Sequence, residues 1–288
     1  TIRDSTFSGI RSGEALIRTD NFQDEIEISR TSFDIEVGSI LFPFHVRPSN
    51  FWFNEVTFMT AQTELVEAPL IRLGSENVLT MTNCNIEYTY NVTKGCLLNS
   101  VPLNQSNWVP SQDWWLEWSC VNPYLFLYSE GQATLRDVQF EAFLIDFSPA
   151  DPWSENYEFS SNYGSIGSAS LFVNYGELNL ENFHLVRSLA RYVFRNYDTM
   201  NVYGFTTWYD EAQFNPNHPQ ASSIFTSWGG ASILNIDSSH IIGFKRWGAL
   251  AYSASLYLSN SIFERGPIAI PALYNVIVHV ENCTFRTA

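Results

Sequence analysis

Trp108, Trp114, Trp115 and Trp118 place four indoles within eleven residues. An indole offers a broad apolar face that stacks on a sugar ring or anchors a protein interface. The same four side chains would serve equally well to cement their own segment against the outside of a fold. Two more stretches, 149–158 and 208–219, are also acidic and aromatic. Asp151 and Glu155 in the first, and Asp210 and Glu211 in the second, carry oxygen ligands of the kind calcium takes. Neither pair has the regular spacing of a calcium loop, so solvated loop charge is the competing reading. Calcium is the one cofactor the residues raise.

The cysteines and sequons mark covalent chemistry. Cys96 and Cys120 flank the Trp-rich stretch, and a bridge between them would staple it, as suits an oxidising compartment. Cys84 with Cys96 is the competing pairing, and free thiols are the third possibility. The sequons are Asn91-Val-Thr93, Asn104-Gln-Ser106 and Asn282-Cys-Thr284. In a eukaryotic host, Asn91 and Asn104 are expected to carry glycans, because they fall in an irregular stretch with room for one.

What positions these residues is an eight-residue pattern: apolar, any, apolar, polar, small polar, small or apolar, any, large apolar. It recurs ten times, most clearly at 79–86, 178–185, 256–263 and 278–285. Copies that begin at 234, 256 and 278 are spaced by 256 − 234 = 22 and 278 − 256 = 22 residues, and 200 − 178 is 22 again. A fixed period in this range is the mark of stacked repeats. The longest steps, from 79 to 133 and from 133 to 178, each suit two turns with an insertion.

Within a copy the first and third positions alternate as a half-buried strand does, and the phase then slips before the sixth and eighth. A bend belongs at the fifth position, occupied by Asp4, Arg30, Glu55, Asn83, Asp137, Asn182, Gly204, Ser238, Asn260 and Asn282. Asn, Asp and Gly tolerate the left-handed backbone that turns a strand without a long loop. Positions expected to face outward are mostly polar, among them Glu27, Ser29 and Ser32, Asn179, Glu181 and His184, and His279, Glu281 and Thr284. Asn282, committed to its bend, should carry no glycan. Cys84 and Cys283 occupy the inward sixth position as small core residues. About eight coils would separate them, nearly 40 Å at about 4.8 Å per coil, too far for a bridge.

Short strands, a tight bend and a repeat of about 22 residues resemble the right-handed parallel β-helix, as built by pectin lyase-like enzymes, adhesin passengers and polymorphic outer-membrane proteins. The resemblance implies an all-β solenoid of about twelve coils over residues 1–288 as one domain, with insertions near 89–130, 146–168 and 208–230. An antiparallel β-sandwich is the alternative architecture, but it leaves the fixed order of bend residue and buried residue unexplained. Pectin-degrading members use paired aspartates with Gly-His-Gly and Arg-x-Lys, or calcium-binding aspartates with an arginine base. This sequence has no Asp-Asp, Gly-His-Gly or Arg-x-Lys. Acid and base work needs two carboxylates facing each other across a bond, and no repeat supplies such a pair on consecutive coils. Arg187, Arg191 and Arg195 would form a basic patch for an acidic sugar, or would only balance local charge. His184 and His240 take equivalent outward positions at least two coils apart without a nucleophile. The segment 164–167, Gly-Ser-Ile-Gly, reads as linker.

Lys and Arg number 15 against 30 Asp and Glu, a net charge of −15. That field disfavours nucleic acid, whose phosphates need the opposite sign. No apolar run approaches the roughly 18 to 20 residues of a membrane span. The chain opens and closes inside repeats, so a processed product or the ordered part of a longer protein is expected. Two functions follow. One is a secreted or cell-surface structural protein, an adhesin segment or a filament subunit stacked end to end on itself or on the next coils of a longer parent chain. The other is a module that binds or degrades polysaccharide in a groove of aromatic loops.

Overall fold

The computed structural model describes residues 1–19, 25–43, 48–62, 69–91, 96–98, 101–102, 118–120, 124–145, 166–187, 190–207, 223–243, 247–265, 272–273 and 275–286. They form strands and turns, with no helix among them. All ten fifth-position residues have positive φ, from 46° at Arg30 to 65° at Gly204. The bend therefore falls where the hydrophobic phase slips, and it divides each repeat into two strands with different inward directions.

Stacked repeats make three parallel sheets, a parallel β-solenoid. In the middle sheet Val78–Thr82, Gln132–Arg136, Glu177–Glu181, Thr199–Tyr203, Ile233–Asp237, Ser255–Ser259 and Ile277–Glu281 pair in register, each with the next. Ile2–Arg3 and the first parts of Glu25–Pro43 and Asn50–Gln62 precede them. A second sheet follows the bend, ending in His240–Ile242, Ile262–Glu264 and Thr284–Arg286. The remaining sheet runs from Ile71–Leu73 through Tyr124–Ser129, Ile166–Asn174, Ala190–Asn196 and Ser223–Trp228 to Trp247–Tyr252.

These pairings correct the expected coil number. Leu79 partners Ala133, and Ala133 partners Leu178, so the long steps are single coils carrying insertions. The middle sheet has ten rungs among the described residues rather than twelve. A step length limits how many turns fit but cannot tell an inserted loop from an extra turn. The first insertion, between the fourth and fifth rungs, carries a small antiparallel sheet of Cys96–Leu98, Val101–Pro102 and Trp118–Cys120. Asn91, expected in an irregular stretch, ends the strand Asn85–Asn91 opposite Ile145. Ile166 and Gly167, read as linker, begin the strand Ile166–Asn174.

The core follows the pattern. First and third positions such as Leu79, Met81, Leu178, Leu180, Leu234 and Leu256 are fully buried. Phenylalanines stack along the axis: Phe172 on Phe194 at 4.5 Å, Phe194 on Phe225 at 5.1 Å, and Phe183 on Phe205 at 5.8 Å. Coil spacing sets these separations, so an aromatic ring at one position favours a ring at the same position in the next coil. One outward assignment fails: Ser29 is buried, a short side chain between longer register partners, Arg3 and Asn54.

A polar ladder that the pattern does not announce lies at another corner. Ser129, Asn174, Asn196 and Ser227 are consecutive register partners and fully buried. Asn174 Nδ2 donates to Asn196 Oδ1 at 2.8 Å, and Asn196 Nδ2 donates to Ser227 Oγ at 3.1 Å. Each amide also bonds its own turn: Asn196 Nδ2 donates to the Asp198 carbonyl at 2.9 Å, while Oδ1 accepts from the Asp198 N–H at 3.3 Å. The buried amides are satisfied and fix the corner, as buried polar groups must be.

Candidate functional site

The outward carboxylates are the natural source of acid and base chemistry, and four of them are tied by arginines to a neighbouring rung. Arg3 Nη2 bonds Glu27 at 2.8 Å, Arg30 Nε bonds Asp4 at 2.6 Å, Arg11 Nε bonds Glu36 at 2.5 Å, and Arg136 Nε bonds Glu181 at 2.5 Å. Hydrogen bonding from Arg30 holds the Asp4 carboxyl below the usual carboxylate range. Bonds from Ser259 and Asn260 do the same for Asp237. A general acid at neutral pH needs the opposite shift, so these two groups are suited to permanent charge.

The histidines are two rungs apart through Thr206, as their spacing suggests. His184 Nδ1 lies 2.5 Å from Thr206 Oγ1, and His240 Nε2 lies 3.0 Å from Glu264 Oε1. Glu264 also receives Arg286 Nη1 at 3.4 Å. Arg187 ends one strand, His184–Arg187, and Arg191 and Arg195 lie on the next, Ala190–Asn196, in a different sheet. Among the described residues no group of three His, Cys, Asp or Glu is placed to hold a metal ion. No helix there is long and apolar enough to cross a membrane.

Asn104, Trp108, Trp114, Trp115, Asp151, Glu155, Asp210 and Glu211 lie outside the described residues. Trp118 is placed by its backbone opposite Leu98, and Cys120 opposite Cys96. Cys84 is a free, buried thiol. Asn282 sits in its bend with φ 49°, and its Nδ2 donates to Asn260 Oδ1 at 3.4 Å.

The feature without an internal role is the last rung, Ile277–Glu281 and Thr284–Arg286. Its inward-pattern residues are uncovered: Val278 is 39% exposed, Val280 44% and Phe285 45%. Phe285 stacks on Phe263 at 5.4 Å on one side and meets nothing described on the other.

Interior rungs show how neighbouring rungs are joined. The fifth-position N–H of each rung donates to the fourth-position carbonyl of the next, as Asp137 does to Glu181 at 2.9 Å and Asn260 to Glu281 at 3.0 Å. The seventh-position N–H donates back to the sixth-position carbonyl of the preceding rung, as His184 does to Val138 at 2.8 Å and Thr284 to Ser261 at 2.9 Å. In the rung of Ile277–Glu281 and Thr284–Arg286, the Asn282 N–H and the Cys283 carbonyl have no such partner among the described residues. The sequence places strands at this end, but only the pairing shows which groups are left over. Comparison with protein-family models, curated proteins and solved structures finds no match for the chain.

Proposed function

We propose that the protein is an extracellular, structural or adhesive right-handed β-helix that works by extension, its last rung continued by further β-rungs. The observation that carries this reading is the uncovered edge: side chains that occupy core positions elsewhere are about two-fifths exposed at Val278, Val280 and Phe285. An apolar strand edge of this kind is a template for another chain, and a head-to-tail contact that does not close on itself yields a filament. The carboxylates bound to arginines, and the lowered Asp4 and Asp237, favour a scaffold over a hydrolase.

The stapled insertion belongs to the same reading. Opposed residues of an antiparallel pair have Cα atoms about 4.5–5.5 Å apart, within the range a disulfide spans. The Cys96–Cys120 register meets that condition. Peptide mapping without reductant should recover the two cysteines in one linked fragment. Glycans at Asn91 and Asn104, and secretion, complete the proposal.

Electron microscopy of natively purified protein, with mass by light scattering, tests the function. Fibres or ordered oligomers with an axial repeat near 48 Å, ten rungs at about 4.8 Å each, are expected. A monomer at every concentration would overturn it, and a polysaccharide binding screen would then be the next measurement.

A further inference from the structure

We infer that Tyr175 and Tyr197 form a site of oxidative modification, at which a peroxide-dependent oxidant couples the two rings carbon to carbon and the resulting dityrosine ties two neighbouring rungs. The site is independent of how the last rung is covered.

A short repeat builds the pair. Asn174-Tyr175 and Asn196-Tyr197 stand 22 residues apart, and side chains alternate along a strand. The two Asn side chains are fully buried in the polar ladder, which leaves the tyrosines on the outside. Backbone bonds fix both positions: the Tyr175 N–H donates to the Ser129 carbonyl at 2.7 Å, and the Tyr197 N–H to the Asn174 carbonyl at 2.8 Å. The rings lie 4.4 Å apart between centroids and 2° from parallel, the shortest ring separation among the described residues. Tyr175 is 40% exposed, so an oxidant reaches the pair from solvent.

Neighbouring rings are less suited to the chemistry. Tyr128 also lies beside Tyr175, but its centroid is 5.6 Å away and its plane is tilted by 45°. Its hydroxyl donates to Glu130 Oε1 at 2.9 Å, and the Arg72 guanidinium lies over its face at 5.4 Å. These contacts pin Tyr128, whereas Tyr197 already overlies Tyr175 and needs only a slide and a twist for the carbons beside the hydroxyls to meet. Farther along the same outer column Trp228 stacks on Tyr252 at 5.0 Å, a pair with a single phenol. The phenylalanine stacks of the core have similar spacing and no O–H to lose.

The reaction balances with hydrogen peroxide acting through a haem peroxidase. Each phenol gives up one electron and one proton, and the peroxide is reduced to two waters. The two phenoxyl radicals pair their electrons in one C–C bond between ortho carbons. Each ortho C–H proton then moves to the phenoxyl oxygen of its own ring, so the protein loses two hydrogen atoms in all.

Peroxidase and hydrogen peroxide, followed by tryptic mapping of the dilute protein, test the site. Trypsin cuts after Arg187, Arg191 and Arg195, so the two tyrosines fall on separate peptides, 137–187 and 196–245. The expected product is these two peptides linked, two hydrogen atoms lighter than their sum, with dityrosine fluorescence. Tyr175→Phe and Tyr197→Phe keep a stacked ring and remove the phenol; each should cut the yield about tenfold or more, since the coupling depends on a pair held in place. Tyr203→Phe, at a tyrosine that is 55% exposed on the middle sheet, should leave the yield unchanged. Unfolding in urea before oxidation should remove the preference for this pair. No linked peptide in the wild type, a link that survives both Phe variants at 175 and 197, or one that disappears with Tyr203→Phe would overturn the site.

Discussion

Two neighbouring rungs differ almost solely in what lies above them. Ser255–Ser259 with Ile262–Glu264 and Ile277–Glu281 with Thr284–Arg286 carry the same pattern, the same left-handed Asn at 49°, and a terminal Phe. Leu256, Leu258 and Phe263 are at most 1% exposed, whereas Val278, Val280 and Phe285 are 39%, 44% and 45% exposed. Burial in a solenoid is thus a property of position in the stack rather than of residue type. A rung gains most of its hydrophobic stabilisation from its neighbours, as expected of repeat architectures.

The largest break in that comparison should come from the ring stacks. Phe194→Ala leaves a cavity between Phe172 and Phe225 and should lower the unfolding free energy by about 3–5 kcal/mol. Phe285→Ala, measured in dilute, unassembled protein, should cost about 1 kcal/mol or less. Urea melts of the two variants give the difference directly, and equal losses would mean that the last rung is covered in solution.

Corners come next. A Cβ on Gly176 would collide with the backbone carbonyls of Gly131 and Glu130, where nothing flexible can yield, whereas at Gly230 the nearest atom, the Ser253 carbonyl, is 4.0 Å away. Gly176→Ala should therefore destabilise by about 1–3 kcal/mol. Gly230→Ala should be neutral or slightly stabilising. Thermal melts distinguish them.

The buried amide ladder gives an effect of similar or smaller size. Asn196→Ala removes the buried amide's bonds to the Asp198 and Ile233 carbonyls, to Ser227 Oγ and from Asn174 Nδ2, and should cost about 1–3 kcal/mol. Asn282→Ala at the edge loses only one long bond and the left-handed preference of its bend, about 1 kcal/mol.

The two thiols sharpen the comparison with the smallest effect on stability. Burial pushes the Cys84 thiol up to about 11, from 9.0. At pH 8.5 a disulfide reagent should modify partly exposed Cys283 in the folded protein and reach Cys84 only on unfolding. The folded state holds the Cys84 proton more tightly than the unfolded state does. Its contribution to stability is therefore complete below pH 9.0 and is lost as pH rises towards about 11. Relative to Cys84→Ala, the wild type should lose melting temperature across that window.

The bend and the inward positions were legible from the sequence, because each is local. Asn83, Asn182 and Asn260 mark the turn by residue type, and the phase slip marks where it must fall. The Asn174 and Asn196 ladder was not legible. An Asn inside an apolar strand looks outward by composition, and its burial depends on an amide in the next coil. The coil number was not legible either, since Leu79 meets Ala133 across an insertion whose length says nothing about what it pairs with. At the candidate edge, the strands Ile277–Glu281 and Thr284–Arg286 were readable as repeat strands. Their exposed groups depend on the pairing partner and were not.

By itself, the sequence determined the rung: eight residues with a left-handed bend at the fifth and apolar side chains at fixed places, because φ preference and side-chain alternation act over a few bonds. Only the tertiary structure decided which rungs are adjacent. Register partners 22 residues away on either side bury Leu258, whereas Val280 has one on a single side among the described residues, though both stand at the same place in the repeat.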